Sequence, residues 1–171
     1  GVVAADDAAL VGARSLDPPE SAFLAATGID DSLDRALTGV DATYIALDLD
    51  PVRIRAARQA GDPVVFGDSA DEDVLAKVGL ASASAVIITF ANPAVSIGIL
   101  RSIRRLRADV PVLVRTQDDS RLTDLKAAGA TEVVPEAIEG SLMLASHALA
   151  LVGVPMRRVI RITRDARDAR Y

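Results

Sequence analysis

The chain has 171 residues, half of them hydrophobic, with no cysteine, one histidine and a formal net charge of −5. These values exclude disulfides and thiol catalysis and leave no Cys/His set for zinc. They also argue against nonspecific nucleic-acid binding, whose affinity comes from Lys and Arg set against phosphates. The apolar residues are mostly Ala, Val, Leu and Ile, with two Tyr, three Phe and no Trp, which suits helices packed closely on the sheet of one domain; no apolar run approaches the ~20 residues of a membrane span.

Residues 1–21 carry no sustained period, and DPPE at 17–20 stops any helix, so this stretch reads as a linker or loosely packed lead-in. From Ala22 onward, short β-rich runs alternate with helical segments. AFLAA (22–26), TYIAL (43–47), PVVF (63–66), AVIIT (85–89), PVLVR (111–115) and EVV (132–134) are nearly all apolar, as strands covered on both faces should be. Between them DSLDRAL, PVRIRAARQA, DEDVLAKV, PAVSIGILRSIRRLR and SRLTDLKAA repeat their apolar residues every three or four positions. Strict alternation with right-handed crossovers predicts an open, doubly wound parallel sheet, whose ligands bind beyond the carboxyl ends of the strands.

The last strand is followed by one long predicted helix, 135–154, with two apolar stripes. Ile138, Leu142, Ala145, Leu149 and Val152 form the first, and Leu144, Ala148 and Leu151 the second. One stripe is expected to cover the sheet and the other to meet a second copy of the chain. RSIRRLR (101–107) and RRVIRITRDARDAR (157–170) are locally basic and read as solvated helix faces, the second as a basic tail.

The candidate binding residues lie at the strand ends. FLAATGIDD (23–31) opens like a nucleotide-binding strand, yet the expected glycine-rich turn offers Ala25, Thr27, Gly28 and Asp30. Asp48 ends the second strand, where an acid accepts from ribose hydroxyls or serves as a surface acid; Asp50 precedes Pro51 and suits an N-cap. Gly67, Asp68 and Ser69 follow the third strand, with Asp68 facing an adenine amino group or closing a turn. Phe90, Ala91 and Asn92 follow the fourth strand as candidate pocket walls, Asn92 equally as a turn residue before Pro93; Arg115 ends the fifth, within reach of a phosphate or a carboxylate. His147 lies inside the long helix, and no serine sits in a nucleophile elbow, so no catalytic set can be assigned.

DLDPVRIRAARQAGDPVVFGDSADEDVLAKVGLASASAVIIT, together with PVLVRTQD and AAGATEVVPEAIEGSLMLASHALALVGVP, resembles the regulator of potassium conductance (RCK, or TrkA-N) domains of Kef-type cation:proton antiporters. The resemblance runs from about Ala22 to Tyr171. It implies a Rossmann-like α/β core over 22–134 and a dimerisation helix with a basic tail over 135–171. It further implies a non-enzymatic homodimer that binds an adenine nucleotide and regulates a membrane antiporter domain of the same polypeptide at the cytoplasmic face of the inner membrane. The chain would then be a soluble fragment that does not itself insert into the bilayer.

The family spacing places the three fingerprint glycines on Ala25, Thr27 and Asp30, none of which is glycine. Thr27 crowds the phosphate path and Asp30 repels phosphate, so AMP is expected to bind ahead of ADP, ATP or NAD. Members that respond to glutathione carry arginines where this chain has Gly28 and Gln117, and the family usually has paired acids before Pro where it has Ala91 and Asn92, so glutathione control is not expected. The same module with a dead nucleotide site would act as a dimeric scaffold for the membrane part.

Overall fold

The structure, a computed structural model, describes residues 22–25, 43–90 and 92–169. Six strands form one sheet in the order β3-β2-β1-β4-β5-β6, where β1 is Ala22–Ala25, β2 Thr43–Asp48, β3 Val64–Phe66, β4 Ala85–Ile88, β5 Val112–Thr116 and β6 Glu132–Pro135. Every pairing is parallel. The helices are α1 (Pro51–Ala60), α2 (Glu72–Lys77), α3 (Pro93–Leu106), α4 (Leu122–Ala127), α5 (Glu136–Leu151) and α6 (Met156–Asp168). The predicted helical segment at 31–37 lies outside the described residues.

Alternation along β2 divides the core between two faces. Tyr44 and Ala46 pack with Val64 of β3 and Ile54 of α1 on one face. Leu47 joins Val86, Ile88, Val112 and Val114, covered by Leu75 of α2, Ile99, Leu100 and Ile103 of α3, and Leu125 of α4, on the other. Helices therefore cover both faces, the doubly wound arrangement that the alternation predicts. Burying each of these Leu and Ile side chains contributes about 1.5–3 kcal/mol before the entropy of ordering is subtracted.

Strand and helix boundaries follow local chemistry. β3 and β5 begin one residue later than predicted, after Pro63 and Pro111, because proline has no N–H for the ladder; both proline carbonyls still accept, from Ala46 and Val86 at 2.8 Å. Asp50, Asp71 and Asn92 cap α1, α2 and α3, with Pro51 and Pro93 opening two of those helices. Gly61, at φ 97°, ends α1 in the left-handed conformation. α4 starts at Leu122 rather than Ser120, because the Asp118 carboxylate holds the N–H and hydroxyl of Ser120 in a turn. Those two bonds, the hydroxyl first, keep the Asp118 carboxyl below its ordinary pKa.

One expectation for the C-terminal part is corrected. The basic run is helical, as its reading as a solvated helix face implies, and forms α6, which turns back after Gly153–Pro155 and buries Val159. Arg167 near its end pairs with Glu139 near the start of α5, so the two helices run antiparallel. Among the described residues α5 packs mainly on α6, with β6 as its strand neighbour. Ile138, Leu142 and Leu149 are half-buried, whereas Ala145 and Val152 are exposed. In the second stripe Leu144 is 73% and Leu151 88% exposed. No described helix is long and apolar enough to cross a membrane.

Candidate functional site

β2 and β3 bring their carboxyl ends together. Asp48 is in register with Phe66, and the N–H of Gly67 donates to the Asp48 carbonyl at 3.1 Å, which carries the chain directly into Asp68 and Ser69. Gly67 is needed for close approach, since a Cβ at that position would lie 2.6 Å from Val74 Cγ1 and 3.5 Å from Leu47 Cδ2. The loop that carries Asp68 thus leaves the sheet beside the end of β2 at a residue without a side chain.

The Asp48 side chain is only 1% exposed. Its Oδ1 accepts from the N–H of Asp50 at 2.8 Å and from Arg53 Nη2 at 2.8 Å, while its Oδ2 accepts from Arg53 Nε at 2.7 Å. Arg53 stands on the first turn of α1 and is a bidentate partner of the acid expected to hold ribose. Hydrogen bonding to Asp48, then charge, with Asp50 adding a smaller share, holds its guanidinium above the ordinary arginine pKa against the opposing effect of burial. Sequence reasoning missed Arg53. The available signal was its spacing, an arginine five residues after a strand-end acid and just inside a proline-initiated helix.

Asp50 is the N-cap of α1, its Oδ1 accepting from the N–H of Val52 at 2.8 Å, and its other oxygen lies 3.4 Å from Arg53 Nη1. Asp68 is exposed and closes a turn through the N–H of Ala70 at 2.8 Å, which leaves its carboxylate at the surface beside the β2 end. Ser69 is buried. The loop they form is fastened from across the domain: Ser102 of α3 donates its hydroxyl to the Ala70 carbonyl at 2.7 Å, and Arg105, ion-paired with Glu72, donates to Ser102 Oγ at 3.0 Å. Ser102 was also missed, a small polar residue within the basic run 101–107 whose buried position only the helix register reveals.

Phe90 and Arg115 lie beyond β1 from this cluster, at the ends of β4 and β5. Phe90 is half-buried against the core, and its carbonyl accepts from Ser96 at 3.3 Å. Arg115 donates to the Thr89 carbonyl at 2.9 Å, and its Nε stands 2.9 Å from a Glu136 carboxylate oxygen in a charge contact without hydrogen-bond alignment. That contact ties β5 to the start of α5. Asn92 takes the turn role, capping α3 through the N–H of Ala94. Ala25 is the last residue of β1, in register with Ala46 and Ile87. Thr27, Gly28 and Asp30 lie outside the described residues. Among the described residues no group of His, Cys, Asp and Glu is arranged to hold a metal.

The TrkA-N domain model matches residues 22–136. The chain is similar to the putative K(+) efflux antiporter KefB of Alkalimonas amylolytica, 46% identical over 128 residues that cover 75% of this chain and 19% of that protein, so it spans about a fifth of that relative's length. Among solved structures, it is similar to the TrkA-N domain of inner membrane protein ybaL from Escherichia coli, with a TM-score of 0.65 and 24% identity over 75% of this chain and 96% of that one. It also resembles the Kef CTD of Shewanella denitrificans in AMP-bound form, with a TM-score of 0.70 and 19% identity over 87% of this chain and 92% of that one. At those identities the two structures speak for the fold. The family model spans the whole parallel sheet and well over half of the sequence, and the chain belongs to the TrkA-N domain family.

Proposed function

We propose that this chain is the regulatory domain of a Kef-type monovalent cation:proton antiporter, and that it senses an adenine nucleotide at the carboxyl ends of β1, β2 and β3. The observation that supports the reading is the pairing of the β2 and β3 ends, which joins residues 48 and 67; in this reading the Asp48 carboxylate takes ribose hydroxyls and the exposed Asp68 an adenine amino group. Support for the antiporter comes from the similarity to KefB, and for the ligand from the shared fold of the AMP-bound Kef CTD. AMP is the favoured ligand, ahead of ADP, ATP and NAD, because the family spacing puts Thr27 and Asp30 on fingerprint positions that glycine fills for close approach of phosphates. Gly28 is the glycine the sequence offers near them, and Ala25, Ser69 and Phe90 complete the proposed site.

In this reading 22–134 is the nucleotide-binding core, 135–171 the dimerisation part, and 1–21 the linker toward the membrane domain of the same polypeptide. The domain works at the cytoplasmic face of the inner membrane as a homodimer joined through the exposed face of α5, and it regulates transport without turning over its ligand. Arg53 on Asp48 gives the scaffold reading its one specific support, since the ribose acid already has a partner. Titration calorimetry with adenosine, AMP, ADP, ATP and NAD separates the two. Binding of AMP at micromolar to low millimolar concentration supports sensing, and silence from every ligand at millimolar concentration favours the scaffold.

A further inference from the structure

We infer that Arg53 sets the affinity of the ribose subsite by latching Asp48, so that a ribose-bearing ligand enters by displacing the guanidinium. The inference rests on the nucleotide reading above and deepens it. Three observations carry it. Arg53 engages both oxygens of Asp48, at 2.7 and 2.8 Å, and the Asp48 side chain is 1% exposed with that partner in place. The arginine itself is 60% exposed, so it can swing out without disturbing the core. Asp50, 3.4 Å from Nη1, remains as an alternative partner for the displaced charge.

A buried carboxylate cannot be left bare, because an unpaired charge out of water is costly. The two ribose hydroxyls are donors of the right kind to replace Nε and Nη2, while the Asp50 N–H stays on Oδ1 throughout. Binding is thus an exchange of partners at one acid. An arginine that merely steadied Asp48 for the ligand would act in the opposite sense when removed. Salt provides a second signature. Added ions weaken the hold of an exposed guanidinium, so the affinity for uncharged adenosine should rise with ionic strength, a trend that direct contact between arginine and ligand does not produce.

The test is calorimetry of adenosine and AMP with the unmodified domain, Arg53→Ala and Arg53→Gln, at low and high salt, with thermal melts to establish that each variant is folded. The latch predicts that adenosine and AMP bind both variants several-fold to about tenfold tighter, and that the salt-dependent gain for adenosine disappears in Arg53→Ala. Binding to the variants with none to the unmodified domain is the same result in stronger form. If the unmodified domain binds and both variants bind equally or more weakly, the latch is overturned while the nucleotide reading stands. If none of the three proteins binds at millimolar ligand, the nucleotide reading fails and the latch falls with it.

Discussion

Ser102 and Ala70, 32 residues apart in sequence, are joined by a 2.7 Å hydrogen bond from the α3 hydroxyl to the loop carbonyl. This bond fixes the loop that carries Asp68 and Ser69 against a helix whose own apolar face is fully embedded in the core. The loop of the expected adenine acid is therefore tied to a neighbouring helix that is distant in sequence.

Ser102→Ala removes that tie and costs about 1 kcal/mol of stability, the ordinary net worth of one such bond. Its larger effect falls on the loop, where amide hydrogen exchange at Ala70 and Asp71 should quicken and adenosine affinity should drop several-fold. Unchanged exchange and binding would show that the loop holds itself.

Gly67→Ala tests the close approach at the start of the loop that carries Asp68. The added methyl meets Val74 Cγ1 at 2.6 Å, so the variant should lose about 1–3 kcal/mol. Adding Val74→Ala removes the atom in the way, and a double-mutant cycle by chemical denaturation should show positive coupling between the sites. Simple additivity of the two losses would contradict the steric account.

Arg104 holds the end of α3 to two loops, donating to the Gly129 carbonyl at 2.9 and 2.7 Å, to Val110 at 2.6 Å and to Arg107 at 3.2 Å. Arg104→Met strips these carbonyls of their partner and should cost about 2–4 kcal/mol in urea unfolding, summing several charge-assisted bonds less water compensation. Lysine should recover little, because a single ammonium cannot reproduce the planar fork. Full rescue by lysine would mean that charge alone is required there.

Leu144 and Leu151, seven residues apart on α5, are among the most exposed apolar side chains described. Light scattering at micromolar concentration should give twice the monomer mass, and Leu144→Glu with Leu151→Glu should return it to the monomer mass. A monomer that persists in the unmodified protein at high concentration would remove this face from the dimer.

The sheet was legible because the strands are short, nearly all-apolar runs separated by helical periods, and the residues before Pro51 and Pro93 marked the caps at Asp50 and Asn92. Asp48 was legible as a strand-end acid, but its partner was not, since an arginine's choice among nearby acids depends on where the helix axis points. α6 was legible as a solvated basic helix face but not as a helix that folds back on α5, since only Val159 among its residues is buried. The stripe on α5 was read correctly as apolar and assigned to the sheet, because the return of α6 onto α5 depends on the turn at 152–155 and not on the pattern of either helix.

The most direct measurement is titration of AMP into the unmodified domain and into Asp48→Ala by calorimetry under one set of buffer conditions. The account predicts one AMP per chain for the unmodified domain, tighter than ADP or NAD, and at least a tenfold loss in Asp48→Ala, the loss expected when the ribose hydroxyls are deprived of a charged acceptor. AMP affinity that survives Asp48→Ala unchanged, or no AMP binding at millimolar concentration, would contradict it.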